Sequence, residues 1–152
     1  MALQLDTIIP TTDGYKTVEN IKIGDEVFGY ENKPIKVIDV LDIYEINENY
    51  LLTFISTTNE SIQIITDNLH QFPVIKNSKI NLTSCENLEE GNIIIGLNKY
   101  LLLSKIKLES MIVRCIKVDS EEHLFLITDQ IEQNWLGGSS YPYNALYTCD
   151  IN

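Results

Sequence analysis

The sequence is short of basic side chains, cysteine, proline and glycine, and each shortage narrows what the chain can be. Its 152 residues hold 11 Lys and Arg against 22 Asp and Glu, a formal net charge of -11. A chain this acidic repels phosphate backbones, so recognition of nucleic acid through a basic surface is not expected. No apolar run reaches the roughly 18–20 residues of a membrane-spanning helix, so no membrane association is expected either. The opening residues 1–6 lack the basic stretch and the apolar core of a signal peptide. The three cysteines, Cys85, Cys115 and Cys149, are odd in number, far apart and without CxxC spacing. They suggest neither a zinc site nor a disulfide framework, and a cytoplasmic, reducing setting is expected. With 4 prolines and 7 glycines there is no Pro-rich linker, and no internal repeat is evident. The length suits one domain over 1–152 with a core of its own.

What is present is a β pattern. Hydrophobic residues make up 44% and charged residues 22%, which excludes wholesale disorder. Polar and apolar residues alternate over 17–30 around a Gly24-Asp25 turn, and 35–44 reads as a β-rich ribbon. Residues 51–55 and 61–65 flank the turn-like Thr57-Thr58-Asn59-Glu60 and predict a hairpin. A short strand is expected at 93–97, and a strand pair from 112–118 and 124–127. The one helical candidate is 85–90, stopped by Gly91. Residues 135–144 read as a loop and 145–152 as a final strand. The expected class is all-β, a single domain of short strands and frequent turns. Asp119-Ser120-Glu121-Glu122 reads as a solvated turn rather than a metal site.

Specificity enters at the start of the chain. Leu3-Gln4-Leu5-Asp6-Thr7 is followed by Thr11-Thr12-Asp13-Gly14 and then by Val18-Glu19-Asn20-Ile21-Lys22-Ile23-Gly24-Asp25-Glu26-Val27. This series resembles the N-terminal splicing motif of inteins and other Hint domains. Two further motifs follow in the family's order: Asp67-Asn68-Leu69-His70, similar to its Thr-x-x-His motif, and a late segment, 114–126, that ends in His123-Leu124-Phe125. The interval between them leaves no room for a homing endonuclease, so the resemblance is to a mini-intein. It implies a flat, horseshoe-like β fold with pseudo-twofold halves and with both chain ends at one site.

The resemblance also implies roles. The position of Ala2 is normally Cys or Ser, whose side chain attacks the preceding carbonyl. Ala2 therefore reads as a Cys-to-Ala or Ser-to-Ala replacement that arrests the first step. Cys115 matches a late-motif position, Asp in many inteins and Cys in some, that assists transfer of the acyl group to the downstream nucleophile. The alternative is the variant class that begins without a nucleophile, in which a Cys at the position of Cys115 attacks instead. That class carries a Trp in the Thr-x-x-His motif, and this chain has none there. His70 matches the histidine that polarises the scissile amide and protonates its nitrogen. Strict spacing puts Asp67 at the motif's threonine, and one extra loop residue would put Thr66 there; either would help to stabilise the oxyanion. His123 matches the histidine that assists asparagine cyclisation.

The family ends in His-Asn followed by Cys, Ser or Thr. Asn134 is at the usual distance after His123, but Gln133 replaces the penultimate histidine and Trp135 cannot accept an acyl group. Asn152 is the favoured terminal asparagine; it requires an insertion between the last two strands, and Ile151 replaces the penultimate histidine. Residues 135–152 are then either an insertion plus a final strand, or a C-extein or tag. The implied partners are flanking exteins in cis, with no cofactor and no metal, in a monomer that acts once. Two other readings stay open: a Hint domain that cleaves without ligating, as in bacterial intein-like proteins, and a non-catalytic all-β binding module.

Overall fold

The computed structural model describes residues 2–138 and 140–150. Sixteen short strands among them build three antiparallel sheets. The first motif folds into β1 (Leu3–Gln4), β2 (Ile8–Thr11) and β3 (Gly14–Thr17). Thr11 and Gly14 close the turn between β2 and β3, with the Thr11 hydroxyl donating to the Gly14 carbonyl at 2.6 Å. The Gly24-Asp25 pair makes the next turn. Gly24 has φ +95°, the left-handed region that glycine enters without steric cost. Asp25 accepts the Lys22 N–H and the Lys16 ammonium, both at 2.8 Å.

Further along lie β4 (Glu26–Phe28), β5 (Pro34–Val40), β6 (Tyr44–Ile46), β7 (Asn49–Ser56), β8 (Ser61–Asp67), β9 (Gln71–Lys76) and β10 (Lys79–Ser84). They are followed by β11 (Ile93–Ile95), β12 (Lys99–Leu108), β13 (Met111–Arg114), β14 (Ile116–Val118), β15 (Leu124–Ile127) and β16 (Leu146–Cys149). A nine-stranded sheet runs β10-β9-β11-β12-β7-β8-β1-β13-β6, a five-stranded sheet β14-β5-β4-β2-β3, and β15 pairs with β16. The expected hairpin at 51–65 forms as β7–β8. Its alternation is the physical cause of the core: Leu52, Phe54, Ile62 and Ile64 face inward. They meet Phe72, Val74, Ile94 and Tyr100 of the same sheet and Ile9, Val27, Val37 and Ile116 of the other.

Two expectations are corrected. Residues 112–118 do not pair with 124–127. The run divides at Cys115: β13 joins the large sheet beside β1, whereas β14 joins β5 in the second sheet. The partner of β15 is β16. The ribbon over 35–44 divides in the same way into β5 and β6, and the Leu41 N–H donates to the Cys115 carbonyl at 3.0 Å where the two crossings run side by side. An alternating pattern records which residues face inward and says nothing about which sheet receives them. The helical candidate over 85–90 shrinks to a 3-10 turn at Cys85–Asn87, because so short a run ahead of Gly91 cannot nucleate an α-helix. The β15–β16 pair is tied to both large sheets by bridges between Ile8 and Thr128 and between Gly96 and Leu146. Gly96 is required there: a Cβ would lie 2.5 Å from the Ala145 carbonyl oxygen.

Candidate active site

The site forms where β1 enters the large sheet. Leu3 is opposite Thr66 of β8 on one side and Arg114 of β13 on the other. One residue back along an antiparallel ladder, Ala2 falls between Asp67 and Cys115. The Asp67 N–H donates to the Ala2 carbonyl at 3.1 Å, and Ala2, Val113 and Cys115 form a buried apolar cluster of their own. Four of the residues singled out from sequence, Ala2, Thr66, Asp67 and Cys115, therefore converge on one register position.

His70 joins them through the turn that follows β8. The Asp67 carboxylate accepts the His70 backbone N–H at 2.8 Å, a short side-chain bond that fixes the turn. The His70 carbonyl accepts the Cys85 N–H at 2.7 Å. Behind it, the Lys105 ammonium donates to the carbonyls of Cys85, Glu86 and Leu88 at 3.1, 3.1 and 2.8 Å, so a cation takes the place of a helix end. The His70 ring is 2% exposed, packs edge-on against Phe72, and bonds through Nε2 to the Thr148 hydroxyl. Thr148 donates its single proton to the Gln71 carbonyl at 3.2 Å. Its oxygen therefore accepts from Nε2–H. Thr66, fully buried, donates its hydroxyl to the Asp67 carbonyl at 3.0 Å.

Cys115 is 4% exposed, on the crossing between the sheets, with the Tyr44 hydroxyl 3.5 Å from its sulfur. Burial, then the Cys115 sulfur and the negative charge of Asp67, hold the Tyr44 phenol above its ordinary range, so it stays protonated as a donor.

His123 belongs to a second cluster. It adopts φ +57°, uncommon for a non-glycine residue, and its N–H donates to the Ser120 hydroxyl at 3.1 Å. Its Nδ1 is 3.1 Å from Oδ1 of Asp150, whose side chain is fully buried. Burial pushes the Asp150 carboxyl above the ordinary carboxylate range, against the opposing pull of the Val118 N–H and of His123. Asp150 is two residues beyond Thr148, so β16 and the residue that follows it carry one partner for each histidine.

Asn134 is not brought to either cluster. It is exposed, in a loop seated on Tyr15 and Phe28 through Trp135. Asn152 lies outside the described residues. Sequence reading missed Thr148, Asp150, Tyr44 and Lys105; the isolated polar residues Thr148 and Asp150 at the end of an apolar strand were the one available signal. Among the described residues no group of three or more His, Cys, Asp or Glu side chains could hold a metal ion. No described helix is long and apolar enough to cross a membrane.

No protein-family model matches the sequence. The replicative DNA helicase DnaB of Mycobacterium leprae (strain TN) is 24% identical over 143 residues, covering 82% of this chain and 22% of the helicase. The chain thus spans about a fifth of that relative's length. The splicing domain of the Msm DnaB1 intein, solved with zinc bound, is 25% identical, with a TM-score of 0.72 over 97% of this chain and 99% of that one. The MchDnaB-1 intein superposes with a TM-score of 0.75 at 24% identity, over 97% and 99% of the two chains. A bacterial intein-like domain from Clostridium thermocellum gives 0.72 at 21% identity, covering 98% of each.

The fold is that of Hint domains. Within that class, the chain is similar in structure to the splicing domain of the Msm DnaB1 intein and to the MchDnaB-1 intein.

Proposed function

We propose that the chain excises itself from a host protein by splicing, and that Cys115 supplies the first nucleophile. One observation carries this reading: Ala2 packs with Cys115 in a single buried cluster while its carbonyl is held by the Asp67 N–H. Ala2 has no group that can attack. Within that cluster the side chain that can is the thiol of Cys115.

In this reading the Cys115 sulfur adds to the carbonyl carbon of the residue before Ala2. The thiol proton passes to His70 Nδ1, the C–N bond to Ala2 breaks, and His70 returns that proton to the departing Ala2 nitrogen. The upstream segment is then a thioester on Cys115. Thr66 and Asp67 line the carbonyl side, where backbone donors stabilise developing negative charge. The Tyr44 hydroxyl, held protonated, donates towards the sulfur as it leaves or re-enters. The acyl group passes to a hydroxyl or thiol following Asn152, and Asn152 cyclises with help from His123. Every bond exchanged lies within the polypeptide, so no cofactor or metal is invoked. The partners are the flanking segments in cis, the working unit is a monomer of one domain, and residues 135–152 are an insertion and final strand of that domain. All three cysteines are buried thiols outside any disulfide, as suits a cytoplasmic setting.

The test is intact mass on fusions with a short segment at each end and Ser after Asn152. Ligated segments from the parent, lost on Cys115→Ala, support the reading. Splicing that appears only with Ala2→Cys, and survives Cys115→Ala, would instead make Ala2 an arresting replacement. Cleaved segments without ligation would favour a domain that processes without splicing, a reading motivated by Ile151 in place of the penultimate histidine and by the likeness to the intein-like domain of Clostridium thermocellum.

A further inference from the structure

The second cluster has a geometry that the splicing reading does not use. Asp150 grips His123 at two points. Its N–H donates to the His123 carbonyl at 2.8 Å, and its Oδ1 is 3.1 Å from the ring Nδ1. The other carboxylate oxygen accepts the Val118 N–H at 2.8 Å, which fixes the rotation of the group. Among the described residues neither His123 Nδ1 nor Asp150 Oδ1 makes a hydrogen bond, and the two face each other at ion-pair distance. The carboxylate is wholly buried, whereas 36% of the imidazole is exposed. The buried charge thus faces one nitrogen of a ring whose remainder is accessible.

We propose that Asp150 is a positioning residue for release of the C-terminal segment: it holds His123 as the Nδ1–H tautomer, so that Nε2 is the nitrogen that moves protons. This rests on the splicing reading above. An acceptor on one ring nitrogen fixes which tautomer is present and raises the basicity of the other nitrogen. The step balances within the chain. The Asn152 side-chain nitrogen bonds to its own main-chain carbonyl carbon and yields a proton to Nε2. The C–N bond to the next residue breaks, and Nε2 returns that proton to the departing amine, leaving a succinimide. With Ile151 in the penultimate position, His123 is the histidine nearest in sequence to carry this proton. Asp150 supplies what a second histidine cannot there.

Asp150→Asn tests the inference, because its effect on the ring is opposite in sign. The Val118 N–H requires an oxygen at its present partner, so the amide NH2 must face Nδ1. Nδ1 then becomes an acceptor, and the ring proton shifts to Nε2. The full chain is fused to a small folded domain at each end, and the two ends are scored separately: upstream release by added dithiothreitol, downstream release by mass. Asp150→Asn is expected to slow downstream release at least about tenfold while upstream release stays within about twofold of the parent. Ring 15N shifts of His123, one of only two histidines in the chain, should move from the Nδ1–H to the Nε2–H pattern. In a His123→Ala background the same substitution should add nothing further. Unchanged downstream release in Asp150→Asn, equal slowing at both ends, or an added loss in the His123→Ala background would each overturn the inference alone. A parent that releases neither segment would overturn the splicing reading, and this inference with it.

Discussion

The hydroxyl of Thr148 meets Nε2 of His70 across 78 positions of sequence. That bond joins the last strand to the turn between β8 and β9, and Asp67 in the same turn holds the carbonyl of Ala2. The two ends of the described chain are therefore connected through the side chains of Thr148, His70 and Asp67 and one backbone bond. A reaction that must bring both ends of a polypeptide to one place gains most of its advantage from such prearrangement.

Thr148→Val is nearly isosteric and removes both hydrogen bonds. It leaves His70 Nε2–H and the Gln71 carbonyl buried without this partner, at a cost of about 1–3 kcal/mol. It also frees the imidazole to adopt the other tautomer. Dithiothreitol-induced upstream release should slow at least about tenfold, equivalent to ~1.4 kcal/mol of barrier, and Thr148→Ser should restore most of it. Release rates and urea midpoints on the same proteins separate the two effects. A Val variant that cleaves at the parent rate would show that the bond is structural only.

Lys105 offers a test away from the reacting atoms. Its ammonium donates to three carbonyls of the turn that carries the His70 carbonyl's partner, and is 5.2 Å from the Tyr50 ring. Lys105→Met keeps the stem and loses the charge. Half-burial and water tempering the loss, the expected destabilisation is ~1–2 kcal/mol in urea unfolding. Upstream release should slow together with stability, because loosening the turn loosens His70. Unchanged stability would mean that solvent satisfies those carbonyls as well as the lysine does.

The sequence carried the class and the motif positions, and the reasons are specific. Alternation marked the β7–β8 hairpin because one face of each strand is core. The motif residues 66, 67, 70 and 115 were found through later motifs that follow, in order, the opening series with Thr11, Asp13, Gly14, Gly24 and Asp25. The crossings at Cys115 and at residues 41–43 were illegible, since an apolar run reads the same whether it stays in one sheet or passes between two. Asp150 was illegible for a different reason. A lone acid in a strand usually points to water, and only the Val118 N–H and His123, brought from β14 and the following turn, make its burial tolerable.

Alkaline pH should unfold the protein through its thiols. Burial pushes Cys85 up to about 11 and Cys149 up to about 12, from an ordinary 9.0. Tyr100 and Tyr147 are raised to about 12 by the same cause. A raised folded-state value means that the folded chain holds its proton where the unfolded chain has lost it. The contribution is complete below about pH 9 and is lost as pH climbs towards 11–12. Each thiol adds a slope of at most about 1.4 kcal/mol per pH unit over that window. Urea midpoints between pH 8 and 11 should fall, and Cys149→Ala should fall less steeply than the parent. Parallel slopes would show that Cys149 is not protected as its burial implies.

Asn134 and Asn152 make opposite predictions. The loop around Asn134 is anchored by Gln130 Nε2 on the Ser61 carbonyl at 2.9 Å, at the end of β8 remote from Asp67. Six residues of strand separate those ends, roughly 20 Å at the usual rise. Trp135 is seated with its ring 4.8 Å from Tyr15 and its indole N–H on the Ser140 carbonyl. A junction there would have to pull this ring out of its pocket and cross that distance. By contrast, β16 and the residue that follows it deliver Thr148 to His70 and Asp150 to His123, and Asn152 follows two residues later. Asn134→Ala should therefore leave both cleavage rates within about twofold of the parent, whereas Asn152→Ala should abolish downstream release while sparing upstream release. Trp135→Ala should lower stability by about 3 kcal/mol without moving the cleavage position. Intact mass decides: a product ending at residue 134 would reverse the assignment and make residues 135–152 a segment that the reaction discards.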